Sequence, residues 1–286
     1  MENYHIRIAK ISYCAILIAG HEYVFLIDNN LLTSRKIIMK KLLTIALLGC
    51  ATLTYGQHKE TRKIGQFNGI SVSQGIRAEF VQSNRNEVVV DVSKADLLAK
   101  IETKVSNNTL VIRVKPNSKI YNAKNLSVTV YSNARLQQVS ASSAGKLTST
   151  AAIHTENFKA DASSSGSIAL GKIESRTATI HASSAGKVHG QLRVKELQID
   201  ASSSGSVALK GSATNAKINA SSSGSALLDD LTVSNVNVGA SSGASVNIDV
   251  KNSIVANASS GGDIKYSGNP SKTDFNRSSG GSVSSK

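Results

Sequence analysis

The chain has 286 residues, 40% of them hydrophobic, and a formal net charge of +14 at pH 7. It contains no tryptophan, two prolines, two cysteines and only 4% aromatic residues. No disulfide framework can be built from so few cysteines, and a core has to come from Val, Ile, Leu and Ala. Few aromatics with abundant Ser, Gly and Asn are compatible with disorder, but the apolar residues alternate regularly, and a disordered tract has no reason to do that.

From Met39 the chain reads MKKLLTIALLGCATLTYGQ. A basic Lys40-Lys41 start, an apolar run from Leu42 and small residues near Gly56 form the pattern of a secretory signal peptide over 39–56. The run is too short for a comfortable membrane span, so the mature chain is expected to have none. The expected cut lies between Gly56 and Gln57. A second reading takes Leu47-Leu48-Gly49-Cys50 as a lipoprotein box with a lipid anchor at Cys50; Leu48 fits its position poorly, which favours simple cleavage. Residues 1–38 then read as an upstream extension from a misassigned start codon, the alternative being a tail with an apolar segment over 6–27. Cys14 and Cys50 both fall in the removable part, leaving no thiolate for catalysis or metal binding.

Residues 57–135 read as β structure. Runs at 70–72, 76–81, 88–92, 110–114 and 126–131 alternate or are β-branched. Asn107-Asn108 reads as a turn between 101–105 and 110–114, and 95–99 as a short helical turn. This region is either an N-terminal cap or the first, wider coils of a repeat array that occupies the rest of the chain.

From 136 to 286 one phrase recurs eight times: ASSAGK, ASSSGS, ASSAGK, ASSSGS, ASSSGS, ASSGAS, ASSGGD and RSSGGS, beginning at 141, 162, 182, 201, 220, 240, 258 and 277. The starts are 21, 20, 19, 19, 20, 18 and 19 residues apart. A fixed period near twenty marks a solenoid, whose units bury their apolar faces only by stacking. Before each phrase the apolar residues alternate, as in Leu197/Ile199 and Ala216/Ile218, ending on the Ala of the phrase. The residues between them are polar. After the phrase a second apolar series begins with Leu147, Ile168, Val188 and Val207. Each unit is therefore strand, corner, strand and a variable polar return, with Gly expected to supply positive φ at the corner and Ser to hydrogen-bond the local backbone. The expectation is an all-β fold: a parallel β-helix or solenoid with coils of about 19–20 residues and a β-rich N-terminal region. General β-connection chirality makes it right-handed, and ~4.8 Å stacking makes eight coils roughly 35–40 Å long. Gln137 in the first unit and Arg277 in the last replace apolar residues, as capping units should.

The Phe67-Asn68-Gly69-Ile70 and Gly75-Ile76-Arg77-Ala78-Glu79-Phe80 segments, Asn108-Thr109-Leu110-Val111-Ile112 and the Ser-Ser-Gly repeats together resemble the "putative auto-transporter adhesin, head GIN domain" family over roughly 64–283. The resemblance implies an exported bacterial β-solenoid with an adhesive role and carries over no catalytic residue. No alternating barrel segment comes after the repeats in this sequence, so a complete autotransporter is not expected.

Three positions stand one residue before successive phrases: Asp161, His181 and Asp200. Stacking would align them on an outer face, where an Asp-His-Asp column could hold a divalent metal or do acid–base work. The same column continues through Asn219, Gly239, Asn257 and Asn276 from Ser140, which reads more simply as a solvated polar ladder. The corner serines have no His at a fixed offset and signal structure, not a nucleophile. Gly261-Gly262-Asp263 resembles a calcium-binding nonapeptide only faintly, without a second Asp-bearing copy. Lys146 and Lys187 share one offset two coils apart, the usual sign of a solvated face. No cofactor motif is found, and nucleic acid is a poor partner for a chain without stacking aromatics. The sequence therefore points to an exported, non-enzymatic, adhesin-like binding or structural module in the periplasm, on the outer-membrane surface or outside the cell. A cell-surface glycan or an envelope protein is the expected partner. The alternative is a polysaccharide-active enzyme on a parallel β-helix.

Overall fold

In a computed structural model the described residues are 58–120 and 125–286, with the backbone of 15–18 and 21–24. The signal peptide, its cut, Cys14 and the Cys50 anchor lie outside them. In the unit spanning Met1–Tyr55, Ala15–Ile18 (β1) and His21–Val24 (β2) pair antiparallel. The remaining elements belong to the second unit, Gly56–Lys286.

That unit is almost entirely β, and its repeats stack as a parallel solenoid. Gln138–Ala141 (β10) and Lys146–Ser149 (β11) open the series on either side of the first serine phrase. Ile153–Ala162 (β12), Ser167–Ala182 (β13), Lys187–Ala201 (β14), Ser206–Ala220 (β15), Ser225–Ala240 (β16) and Ser245–Ala258 (β17) come next, one per coil. Asp263–Ser267 (β18), Lys272–Arg277 (β19) and Ser282–Ser285 (β20) end it. The residues before each phrase pair in parallel from coil to coil to form wall A, as in Ile180↔Ile199↔Ile218↔Val238. The residues after it form wall B, as in Ile168↔Val188↔Val207↔Ala226.

The return, expected to be variable and polar, is a third strand segment with apolar residues facing inward, wall C. It stacks as Ile173↔Leu192↔Gly211↔Leu231. Its inward residues include Leu192, Val194, Ala213, Leu231 and Val233, all buried. The alternation there is broken by small residues and by register slips, such as the one between Ala169 and Lys172, which hide a period of two.

The core is the sum of the three inward series. Ile180, Ile199, Ile218 and Val238 of wall A and Ile168 and Val207 of wall B have no solvent exposure. Each such side chain contributes about 1.5–3 kcal/mol on burial. Because a coil is closed on itself and covered only above and below, that burial exists only when neighbours stack.

The serine phrases are the corners between walls A and B, as tight turns in which the Gly145 N–H donates to Ser142 O at 2.8 Å and the Gly186 N–H to Ser183 O at 2.8 Å. The glycine does not supply the positive φ in the first five copies. Those angles fall on two consecutive non-glycine residues, such as Ser143 (47°) and Ala144 (59°), or Ser203 (48°) and Ser204 (60°). This is the mirror-image turn whose twist suits flanking strands. The glycine comes after them, because a Cβ there would meet the backbone of the coil before: 2.1 Å from Ala162 O at Gly186 and 2.1 Å from Ala182 O at Gly205. Only in the last three copies does a glycine sit at the second left-handed position, as at Gly243 (69°), Gly261 (71°) and Gly280 (76°). The turn's stacking bonds are also backbone bonds: the Ala185 N–H donates to Ser203 O at 3.0 Å and the Ser204 N–H to Ser222 O at 3.1 Å. The exposed hydroxyls of Ser203 and Ser204 are left to solvent. A glycine at the second left-handed position should relieve strain, so Ser204→Gly is expected to raise stability by about 0.5–1 kcal/mol in denaturant titration.

The N-terminal region joins the stack through Gly69–Val72 (β4) and Arg77–Gln82 (β5), which pair in parallel with β10 and β11. Between them lies another left-handed corner, Gln74 (59°) and Gly75 (71°), whose Gly75 N–H donates to Ser143 O at 3.0 Å. On the far side Thr109–Val114 (β8) and Leu126–Ser132 (β9) stack in parallel on β4 and β5. His58–Lys63 (β3), Glu87–Val92 (β6) and Ile101–Ser106 (β7) then pair antiparallel, β3 with β6, β6 with β9 and β7 with β8. Ala95–Leu98 forms a helical turn, α1, and Asn107 and Asn108 (φ 49° and 57°) turn β7 into β8. Parallel and antiparallel strand pairing thus coexist in 58–120 and 125–135. At the other end the Arg277 guanidinium lies 5.3 Å over the Phe275 ring and donates to Val283 O, closing the last corner.

Candidate functional site

Inward positions are small or apolar in every coil, so the polar and charged groups that distinguish one coil from another lie at outward positions. On wall A the structure stacks Asp161, His181 and Asp200 as successive partners. His181 Nδ1 lies 3.3 Å from Asp200 Oδ2. Asp200 also accepts hydrogen bonds from Gln198 Nε2 at 2.8 Å and Asn219 Nδ2 at 3.0 Å. The bonds of the column thus join His181, Asp200 and Asn219 and do not reach Asp161, and among the described residues no group of three His, Cys, Asp or Glu side chains is placed to hold a metal ion. A parallel ladder runs along the C–A edge, where Asn215 bridges Glu196 and Asn235, and Asn235 accepts from Ser253.

Two open grooves cross the coils elsewhere. The first, about 910 Å³, runs along the B–C edge. One column along it runs Ala169, His189, Ala208 and Leu227 in successive coils, with Gly190 beside His189. Leu227 closes one end and is 45% exposed, although its neighbours Ala226 and Leu228 point inward and are buried. Charged pairs rim it: Lys210 Nζ lies 2.8 Å from Asp230, which pushes the lysine pKa up through a hydrogen bond, and Lys286 meets Asp229.

The second groove, about 850 Å³, lies along wall C. It is bordered by two outward columns. One runs His154, Glu174, Arg193, Ser212 and Thr232; the other contains Arg176, Lys195, Thr214 and Ser234. Arg135 and Lys251 line its ends. Glu174 is held by Lys172 and by His154 Nδ1 at 3.1 Å, and the Lys172 hydrogen bond keeps its carboxyl below the ordinary 4.5. Arg135, Arg176, Arg193, Lys195 and Lys251 make no ion pair or side-chain hydrogen bond among the described residues. The sequence pattern does not mark this set, because its members lie in the return, where period-two alternation is broken. Lys146 and Lys187, which the pattern does mark, are exposed at the start of wall B with Ser167 between them.

The lowered carboxyls have a consequence for stability. Glu60, Asp96 and Glu174 are held below their ordinary values by hydrogen bonds from Arg62, Lys100 and Lys172, and Asp263 by Ser282 and then Lys265. Because their folded pKa values are depressed, the stabilisation is full above the ordinary values of 3.8 to 4.5 and is lost as pH falls through the folded values. Thermal melts at pH 7, 4 and 3 should therefore show a midpoint that is highest at pH 7 and falls steadily below pH 4.

The described coils form a three-walled parallel solenoid with repeated corners and individual outer walls. Family comparison gives that class a name: residues 66–189 and 161–270 match the model of the family described as "Putative auto-transporter adhesin, head GIN domain", and the chain belongs to it. Its fold is shared by a solved structure titled a putative adhesin from Parabacteroides merdae, with a TM-score of 0.72 and 18% identity over 82% of this chain and 97% of that one. A second, titled a putative adhesin from Parabacteroides distasonis, also has a TM-score of 0.72 and 18% identity, covering 82% and 98%. A third from Parabacteroides distasonis is titled a putative lipid binding protein, with a TM-score of 0.65 and 17% identity over 82% and 98%. Among curated proteins none matches the chain. The family and the two adhesin structures are named for adhesion and not for a reaction.

Proposed function

We propose that the chain is an exported, non-enzymatic β-solenoid that acts at the bacterial cell envelope as an adhesin-like binding or structural module. Its partner is a cell-surface glycan or an envelope protein. The observation that carries this reading is the division of labour in the coil: core and corners repeat, while the exposed walls vary and are hollowed by two long open grooves. An open groove crossing several coils suits an extended partner held by many weak contacts, whereas an active site gathers a few groups at one point. The adhesin family supports the same reading. A glycan-array screen combined with a reducing-end assay tests it. Retention of glycans or envelope fragments without release of soluble product is expected; soluble product that tracks the protein's concentration would contradict it.

A further inference from the structure

We propose that wall C is a binding face for an extended carboxylated polysaccharide. The inference rests on the adhesin-like reading above and assigns it a face and a ligand class.

Charge is the first argument. Arg176 and Lys195 occupy corresponding positions in adjacent coils, with Arg193 two residues before Lys195 on the same outward side. Arg135 and Lys251 extend the positive line toward the two ends of the groove. All five are exposed and make no ion pair within the described protein. The acidic residues lining the groove are Glu156 and Glu174, the latter paired with Lys172, and Asp249 continues the same outward column beyond Thr232, whose hydroxyl donates to it. Five cations without an ion pair, against two carboxylates without one (Glu156 and Asp249), leave a positive groove, which attracts and orients an anionic chain.

Spacing is the second. Coils stack at ~4.8 Å, close to the length of one pyranose residue in an extended glycan. A polysaccharide lying along the stack would meet one coil per sugar. Carboxylates on its residues would face arginines and a lysine, and its hydroxyls would face Ser212, Thr214 and Ser234. Arginine in particular suits a carboxylate because its planar donors match both oxygens.

The same groove argues against other polyanions. Among the described residues that line it there is no Phe, Tyr or Trp ring on which a base could stack. It also has no exposed large apolar residue to enter a lipid surface, Leu227 and Val255 lying on other faces.

The test uses the full chain, polygalacturonate as the probe, and dextran, a single-stranded oligonucleotide and anionic vesicles as comparisons. Polygalacturonate should bind at low salt and dissociate as salt rises, with dextran unbound on this face. The triple variant Arg176→Ser/Arg193→Ser/Lys195→Ser should lose about tenfold or more in affinity and show a shallower salt dependence. Its melting temperature should stay near wild type, since exposed substitutions shift stability by about 0.5 kcal/mol or less. The control Lys104→Ser/Lys159→Ser/Lys217→Ser removes the same charge from other faces and should change affinity by less than about twofold. Equal loss in the control, or full affinity in the wall C variant, overturns the proposal. So does tighter binding of the oligonucleotide or the vesicles than of polygalacturonate. A wild-type chain that captures neutral glycans or envelope protein while ignoring polygalacturonate also overturns it, yet leaves the adhesin-like function standing.

Discussion

Gly211→Ala is expected to destabilise the solenoid by about 3 kcal/mol or more, read as a lower denaturant midpoint. Gly211 lies in wall C with φ at +115°, a region that side-chain-bearing residues rarely adopt. A Cβ built there falls 2.0 Å from the Leu192 carbonyl oxygen of the coil before. Both costs act on the backbone, so no rotamer change relieves either. A corner glycine such as Gly186 has the steric problem alone, and the corresponding corner position in the sixth copy is Ala244, which is buried and fitted. Gly186→Ala should therefore cost clearly less than Gly211→Ala. Equal effects would mean that the corners are as rigid as wall C, which Ala244 argues against.

Ile199→Ala should cost about 2–5 kcal/mol. Ile199 has no solvent exposure and lies between Ile180 and Ile218 in wall A, both equally buried. Its inward neighbours belong to stacked strands held by backbone bonds above and below, so the cavity cannot collapse without moving a whole coil. Stability in such an array is a sum of unit and nearest-neighbour terms. A weakened interface in the middle should thus lower the midpoint and also reduce the slope of the denaturant transition, as the two halves begin to unfold separately. Phe275→Ala, in the exposed last coil, should leave the slope unchanged.

Walls A and B and the period are readable from the sequence because alternation is strict there and each strand ends on the small residue that opens the phrase. Wall C is not, for a physical reason: register slips such as the one between Leu228 and Thr232 change the spacing of inward residues from coil to coil. Small inward residues such as Gly211 and Ala213 further blur the contrast with the outer face. The corner at Gln74-Gly75 is equally hidden, because it shares the backbone geometry of the serine corners without their side chains. What makes the turn is two left-handed residues and a stacking N–H, and Gln, Ser, Ala and Gly all fill those positions in this chain.

The candidate sites obey the same logic. Asp161, His181 and Asp200 stand out in the sequence because the strict alternation of wall A aligns its outer face, and they do stack, with bonds that join His181, Asp200 and Asn219 and do not reach Asp161. Arg176, Arg193 and Lys195 cannot be aligned without wall C. Leu227 carries a usable signal: an apolar residue at an outward place in an otherwise alternating run, between Ala226 and Leu228.

On the proposed function, the serine corners are scaffold and the varied walls carry recognition. One measurement tests it most directly: polygalacturonate affinity of the wild type, of Ser204→Gly, and of the Arg176→Ser/Arg193→Ser/Lys195→Ser variant, side by side. The corner variant should bind as wild type does while the wall C variant loses about tenfold or more. Loss of binding in Ser204→Gly with retention in the wall C variant would contradict the account.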